Sequence, residues 1–493
     1  MSSLMATPLQ EIKTQLASLE LEMQQVPLRY ADVLKKIHPD NLPSAINLLK
    51  YLVLRKTDIQ HLQYELHRNG LSSLASCESH THRQIQVTLE RLGVEFPEED
   101  ACTLAFGCKK IENSSRRLFG DKLAEWPSSV MVTMDPSFLD EPGFVEQLLK
   151  NGMGVARINC AHDDIPSWDK MVEEIRIASE RTGIPCKIHV DLAGPKIRTV
   201  LLKQGRKEGR VPIFQGCKIW LSEEAEGFGK SEIVISPNEP GVIQYLNVGD
   251  RVFFDDGLIL AKVEKKQRDA VQLIIERISS KKPVLKAGKG INFPDSILEI
   301  SSLTSFDREC LPWVVFNADT VGFSFVREAA DLAELRTAMK NLSDTIPHII
   351  LKIETNEAVV NLPDLLLEGM VEPVFGVMIA RGDLAVEIGF ERLVEIQEEI
   401  SWLCEAAHAP VIWATQVLES LRKYGIASRA EITDAGRAAM AECIMINKGG
   451  HILEVLTALR DIAKRSRALR VKNRLTFRPL KIAENFLSQF EKE

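Results

Sequence analysis

The 493-residue chain predicts an α/β fold: a (β/α)8 TIM barrel with a small β-barrel-like lid domain inserted in it, behind an N-terminal helical extension. Three observations carry that expectation. Eight short apolar runs, each bounded by polar residues, recur between Ser129 and Ile446 and alternate with helical patterns, as in a closed parallel sheet wrapped in helices. The alternation fails over 200–293, where short strands and turns stand in place of a helix. Ahead of it, residues 1–124 carry helical periodicity alone.

In chain order, segment 8–25 sets Ile12, Leu16, Leu19 and Met23 at helical spacing. Segment 43–69 does the same with Ile46, Leu49, Leu52, Leu62 and Leu66, and 81–92 is a third helix stopping near Gly93. No chemistry is legible in this extension, and the basic stretch Cys108 to Arg117 reads as a solvated face or linker. Barrel strands are expected at 129–134, 154–158, 186–191, 319–323, 347–353, 374–379, 410–414 and 442–446. Helices are expected at 141–151, 166–182, 327–341, 356–366, 390–408, 429–441 and 451–470. The barrel then takes 125–199 and 294–470, the insert 200–293, and a tail 471–493. Gly194-Pro195 at the entry to the insert, and Gly288 and Pro294 at its exit, suit a hinge. A domain hinged over the mouth can exclude water from a phosphate site.

A net charge of −8 argues against a general nucleic-acid or membrane surface. No apolar run is long enough to span a bilayer, and Met1 to Lys13 holds no signal-peptide core. The nine cysteines are scattered and never spaced C-x-x-C, which gives no zinc motif and fits a reducing compartment. The expected location is the cytoplasm.

Function is written at the strand ends, above all in 347–388. Alternation on a strand puts Lys352 and Glu354 on one face; Arg381 and Asp383, read as the end of the next strand, also share one. For Lys352 with Glu354 alone, a structural ion pair and a functional site explain the residues equally well. With Arg381-Gly382-Asp383 beside them, a metal and phosphate site explains more, the carboxylates holding Mg2+. The eight ends carry Thr133; Arg157 and Asn159; Asp191; Ser324; Lys352 and Glu354; Arg381 and Asp383; Thr415; and Asn447. Any one of them has a dull account: Arg157 pairing with a carboxylate, Thr415 capping a helix. So many polar groups at one rim are hard to explain by packing.

This set resembles the pyruvate kinase family from about Val130 to about Arg470. The matching pieces are Val155-Ala156-Arg157-Ile158-Asn159 with His162, Asp191 with Gly194 to Thr199, Asp255 to Ile259, Lys289-Gly290-Ile291-Asn292, Ser324 to Arg327, Lys352-Ile353-Glu354, Ala380 to Leu384, Ala414 to Ser420 and Ser428 to Glu431. The resemblance implies phosphoryl transfer from phosphoenolpyruvate to ADP, giving pyruvate and ATP. It implies that Glu354 and Asp383 hold Mg2+, with Mn2+ possible in its place. Lys352 sits over the transferring group, and Arg157 and Arg198 grip phosphate oxygens. Thr415 matches a threonine tied to protonating the enolate. Ser324, Arg381, Gly382 and Asp383 fall with the substrate, a backbone amide cluster near 381–383 receiving its carboxylate. Thr133, Pro136, Asn159, His162 and Lys289 fall where the family contacts nucleotide. Such transfer needs positioning and charge neutralisation more than covalent chemistry.

Departures from the family pattern are informative. Many members bind K+; the matching positions here are Asn159, Ala161, Asp191 and Leu192, and Ala161 lacks the hydroxyl. Lys196 stands where potassium-dependent members carry Glu, so a tethered ammonium is expected to replace K+. Asp135 replaces a glycine, Ala193 a lysine, and Asn447-Lys448-Gly449-Gly450 a Ser-Gly-Glu-Thr loop. After 470 only 23 residues remain in this sequence, so the family's C-terminal domain and sugar-phosphate effector site are not expected, and a homodimer through the face near Ser428 to Glu431 is favoured over a tetramer. Two other readings stand beside the kinase: a related Mg2+-dependent keto-acid or enolate enzyme such as an aldolase or lyase, and a non-catalytic binding protein. The insert with Arg198 favours the kinase over the first, and intact Lys352, Glu354, Asp383 and Thr415 over the second.

Overall fold

The computed structural model describes residues 8–98, 100–123, 126–279, 284–475 and 479. Eight parallel strands close into a barrel: β1 (Ser129–Thr133), β2 (Met153–Asn159), β3 (Lys187–Asp191), β4 (Thr320–Phe323), β5 (His348–Ile353), β6 (Gly376–Ala380), β7 (Val411–Ala414) and β8 (Cys443–Ile446). Each expected run is within two residues of a real strand. Covered by helices outside and packed inside, most of these strands are buried at every position, which is why they read as unbroken apolar runs. Met131, Val155, Ile350, Met378, Ile412 and Met445 share one buried cluster with Leu118 and Phe119. Those last two end the helix Leu104–Phe119. The basic stretch expected to be a solvated face or linker is therefore part of a helix whose apolar end packs into the barrel's own cluster; its lysines and arginines mask that role in the sequence.

Helices begin where side chains can satisfy their first amides. Asp164 caps Ile165–Thr182, with proline in the first turn and Gly183 left-handed past its end. Ser428 and Glu431 form a reciprocal capping box on Arg429–Ala438. The helices Ser305–Asn317, Arg381–Ile388 and Glu419–Tyr424 were not expected. The middle one matters most: Arg381 and Asp383 lie on a helix, not on a strand, because the chain turns at Ala380.

The extension is helical over Pro8–Arg29, Leu42–Arg55, Gln60–Arg68 and Thr81–Arg91; the expected 43–69 segment breaks between Arg55 and Gln60. Ile12, Leu16, Met23, Leu48, Leu54, Leu66 and Ile85 form its interior. It docks where the chain enters β6 and β7, at the rim opposite the strand C-termini. Asn41 donates to the carbonyls of Met370 (3.1 Å) and Glu372 (2.8 Å), and Asn47 to that of Ala406 (2.8 Å). His408 meets Ser44 Oγ and the Ser79 carbonyl, each at 2.9 Å. Beyond 470 the chain forms a hairpin, Arg470–Val471 with Arg474–Leu475, rather than a plain tail. Its Lys472 pairs with Glu442 at 2.5 Å, and Asn473 donates to Glu78 at 3.3 Å. Except for Pro479, the rest of the expected tail lies outside the described residues.

The insert is a seven-stranded sheet with a separate pair, 284–286 on 210–212, around Ile219, Leu221, Phe254, Val263 and Leu273. Its shortest strands include 199–201, 284–286 and 291–292, beside the two crossings. Its two crossings hydrogen-bond to each other: the Thr199 amide donates to the Lys289 carbonyl at 2.8 Å, and Arg198 bridges Gly290. The insert also rests on the helix Arg381–Ile388, through Asn292 to Glu387 at 2.8 Å.

Candidate active site

Register builds the site. Thr133 pairs with Arg157 and Arg157 with His189, while Asn159 and Gly322 both flank Asp191. Polar side chains from three adjacent strands, β1 to β3, thus emerge on two successive levels near the strand C-terminal rim, with Gly322 of β4 leaving room beside Asp191. Asp191 is wholly buried. Its Oδ2 accepts from Arg157 Nε at 2.8 Å and lies 2.6 Å from Nη2 and 3.4 Å from Lys352 Nζ; its Oδ1 meets His189 Nε2 at 2.8 Å. Burial alone would raise this carboxyl, but Lys352, Arg157 and His189 hold it well below the usual range. Glycine at 322 is required, since a Cβ there would sit 1.9 Å from Asp191 Oδ1.

Lys352 is the centre of the set. Its ammonium donates to Ser324 Oγ at 2.7 Å and lies 3.3 Å from Glu354 Oε1. Ser324 in turn donates to the Leu192 carbonyl at 2.6 Å. Desolvation opposes the charge on Lys352, yet Asp191 and Glu354 raise its pKa, so it is held as a cation. Glu354 Oε2 accepts the Phe325 amide at 2.7 Å. Its carboxyl is pushed up, by burial first and then, against the pull of Lys352, by the Asp383 and Asp191 charges.

The helix Arg381–Ile388 sends its first residues different ways. Arg381 turns away from the mouth: it donates to the Ala414 (3.1 Å) and Thr415 (2.6 Å) carbonyls, pairs with Asp434 and lies 4.8 Å over the Trp413 ring. The expectation that Arg381 and Asp383 point the same way fails, because a helix rotates neighbours two apart by roughly 200°. Asp383 instead accepts from Lys196 Nζ at 2.9 and 3.1 Å. The Gly382 amide donates to Thr415 Oγ1 at 2.9 Å. Thr415 has φ +65°, rare for a β-branched residue, and Gln416 and Leu418 are left-handed too.

Thr133 accepts from Arg157 Nη1 at 2.9 Å. Asn159 takes the Ala161 amide at 3.0 Å, Pro136 begins a short 3-10 turn, and His162 is exposed. Arg198 donates to the Gly288 carbonyl at 3.1 Å, and Lys289 pairs with Asp255 at 2.7 Å, both on the insert side. Arg157, Asp191, Ser324, Lys352 and Glu354 are thus brought into one network, with Thr133 on Arg157. Lys196 contacts Asp383 and, at 3.8 Å, Asp256; no contact carries it to Asn159, Asp191 or Leu192. Two contributors escaped sequence reasoning. His189 lies two residues before Asp191, so strand alternation could have found it; Asp434 sits in a distant helix with no signal.

A family model described as pyruvate kinase, barrel domain, matches residues 127–450. Pyruvate kinase of Geobacillus stearothermophilus is 32% identical over 327 residues, 65% of this chain and 54% of that protein. A probable cytosolic isozyme of pyruvate kinase from Arabidopsis thaliana is 32% identical over 326 residues, 65% and 63% of the two chains. Pyruvate kinase of Thermotoga maritima is 30% identical over 347 residues, 68% and 70%. The chain spans about half the length of the first relative and under two thirds of the second. The matched segment contains all eight strands and every rim residue described above, and on that match the chain belongs to the pyruvate kinase family.

Proposed function

We propose that this chain transfers the phosphoryl group of phosphoenolpyruvate to ADP, giving pyruvate and ATP, in the cytoplasm. One observation supports this most: a buried lysine cation, 3.3 Å from one rim carboxylate and beside Arg157, with a second carboxylate in reach of the first one's field. Lys352 steadies charge on the phosphoryl oxygens and on the forming enolate. Arg157 and Arg198 add positive charge around the phosphate. Gly382 and the amides beside it meet the substrate carboxylate. Thr415 Oγ1 lies next to them and serves the proton delivery to the enolate.

Glu354 and Asp383 suit a hard divalent ion, Mg2+ or Mn2+, which takes few protein oxygens and leaves positions for substrate. When bound it supplies charge neutralisation to substrate oxygens. K+ is not required: Ala161 brings no hydroxyl, and Lys196 supplies a fixed ammonium at the foot of the insert. Activity unchanged when K+ is exchanged for a bulky organic cation is the expected result; strong activation by K+ contradicts it.

The test of the main reading is turnover of phosphoenolpyruvate with ADP and Mg2+ by the purified chain, beside Lys352→Met. Turnover cut by roughly 1000-fold or more in the variant supports it; none in the parent overturns it. Two copies pair through the face near Ser428, where Tyr424 and Ile426 are each 75% exposed. Ile426→Asp is expected to give monomers by light scattering, and an unchanged mass rejects this interface.

A further inference from the structure

Asp135 and Lys448 follow β1 and β8, the two strands that close the barrel. The register Val132 to Ile446 brings both out side by side, and Lys448 Nζ lies 2.7 Å from Asp135 Oδ2. Both partners are anchored from behind. Asp135 Oδ1 accepts the Ser137 amide (3.0 Å) and hydroxyl (2.6 Å). The Lys448 carbonyl accepts from Arg422, which Glu419 holds at 2.6 and 3.0 Å. The side chains are 40% and 24% exposed for Lys448 and Asp135, so solvent reaches both partners. Partial desolvation first, then the charges of Lys448 and Arg198 against that of Asp163, hold the His162 imidazole below its ordinary range.

We propose that Lys448 is a phosphate ligand of the nucleoside diphosphate, kept in place by Asp135 until nucleotide arrives. The inference rests on the phosphoryl-transfer reading and adds a residue to its nucleotide side. A carboxylate among Thr133, Pro136 and His162 repels a polyphosphate; an ammonium that leaves it for the phosphate converts a clasp into a contact. Exchange between the two anions then sets nucleotide affinity. The plainer account is that Lys448 only neutralises Asp135.

A double-mutant cycle separates the two, with Asp135→Asn, Lys448→Met and the double variant. The readouts are ADP binding by calorimetry and KM for phosphoenolpyruvate, with thermal melts to check the fold. Lys448→Met is expected to weaken ADP by about tenfold in the parent, still to weaken it several-fold in the Asp135→Asn background, and to leave KM for phosphoenolpyruvate unchanged. Asp135→Asn alone should tighten ADP. If Lys448→Met costs nothing in the Asp135→Asn background, the lysine only neutralises and the proposal falls. It falls too if ADP and phosphoenolpyruvate weaken together. ADP binding without turnover of phosphoenolpyruvate sinks the kinase reading while the cycle still reports on Lys448; no ADP binding by the parent sinks both.

Discussion

Asp191 carries the most at the scale of single residues. It is fully buried and serves Arg157, Lys352 and His189, none of which is more than 10% exposed. Asp191→Asn leaves two cations short of their counter-charge, and an uncompensated buried charge costs about 3–5 kcal/mol. Urea unfolding should show a loss of that order; a loss below 1 kcal/mol, as an order-of-magnitude bound, means the cations find other partners. Gly322→Ala forces a methyl against the same carboxylate, so a cost of about 1–3 kcal/mol is expected in the same measurement. An unaltered midpoint means that β3 and β4 can part at no expense. Strand alternation made Arg157, Lys352 and Glu354 legible, because an ionic side chain in an apolar run needs a reason. The orientation of Arg381 was not legible, since nothing local in Ala380-Arg381-Gly382 distinguishes a strand that continues from a helix that starts.

At the scale of elements, the join between the extension and the barrel holds two buried titrating groups of opposite sense. His408 lies between Ser44 and the Ser79 carbonyl, with Lys110 and His80 near; burial lowers its pKa from 6.5 to about 4. Its unfolded form takes a proton at a higher pH than its folded form, so stability is lost as pH falls from 6.5 towards 4. Glu78 is raised by burial, and then by Glu405, to about 7, so its contribution is lost as pH rises from 4.5 to 7. Each shift is worth roughly 3 kcal/mol, and the two oppose each other where their windows overlap. Glu78→Gln should therefore uncover a loss on acidification, and His408→Gln a loss on going alkaline, in unfolding free energies measured across pH 4–8 (roughly the span of both windows). Parallel curves for both variants and the parent contradict this. In the extension, Pro8–Arg29, Leu42–Arg55, Gln60–Arg68 and Thr81–Arg91 were partly legible because their apolar faces repeat at helical spacing. The helix Leu104–Phe119 was not, because only its last residues, Leu118 and Phe119, meet the barrel interior while its middle is basic.

Over the whole molecule, one barrel presents its polar rim to an inserted domain at one end and buries the other end under a helical extension. The closed order and the place of the insert could be read from where the strand–helix alternation runs and where it stops. Which rim groups meet could not, because pairs such as Lys196 with Asp383 or Asp135 with Lys448 join segments far apart in the chain. The central claim is that the Lys352, Glu354 and Asp383 set transfers a phosphoryl group. Its most direct measurement follows isotopic label from the phosphoryl group of phosphoenolpyruvate in the presence of ADP and Mg2+, for the parent and for Lys352→Met. Label arriving in ATP with the parent and not with the variant is the predicted result; label that stays put with both, or reaches ATP equally with both, contradicts the account.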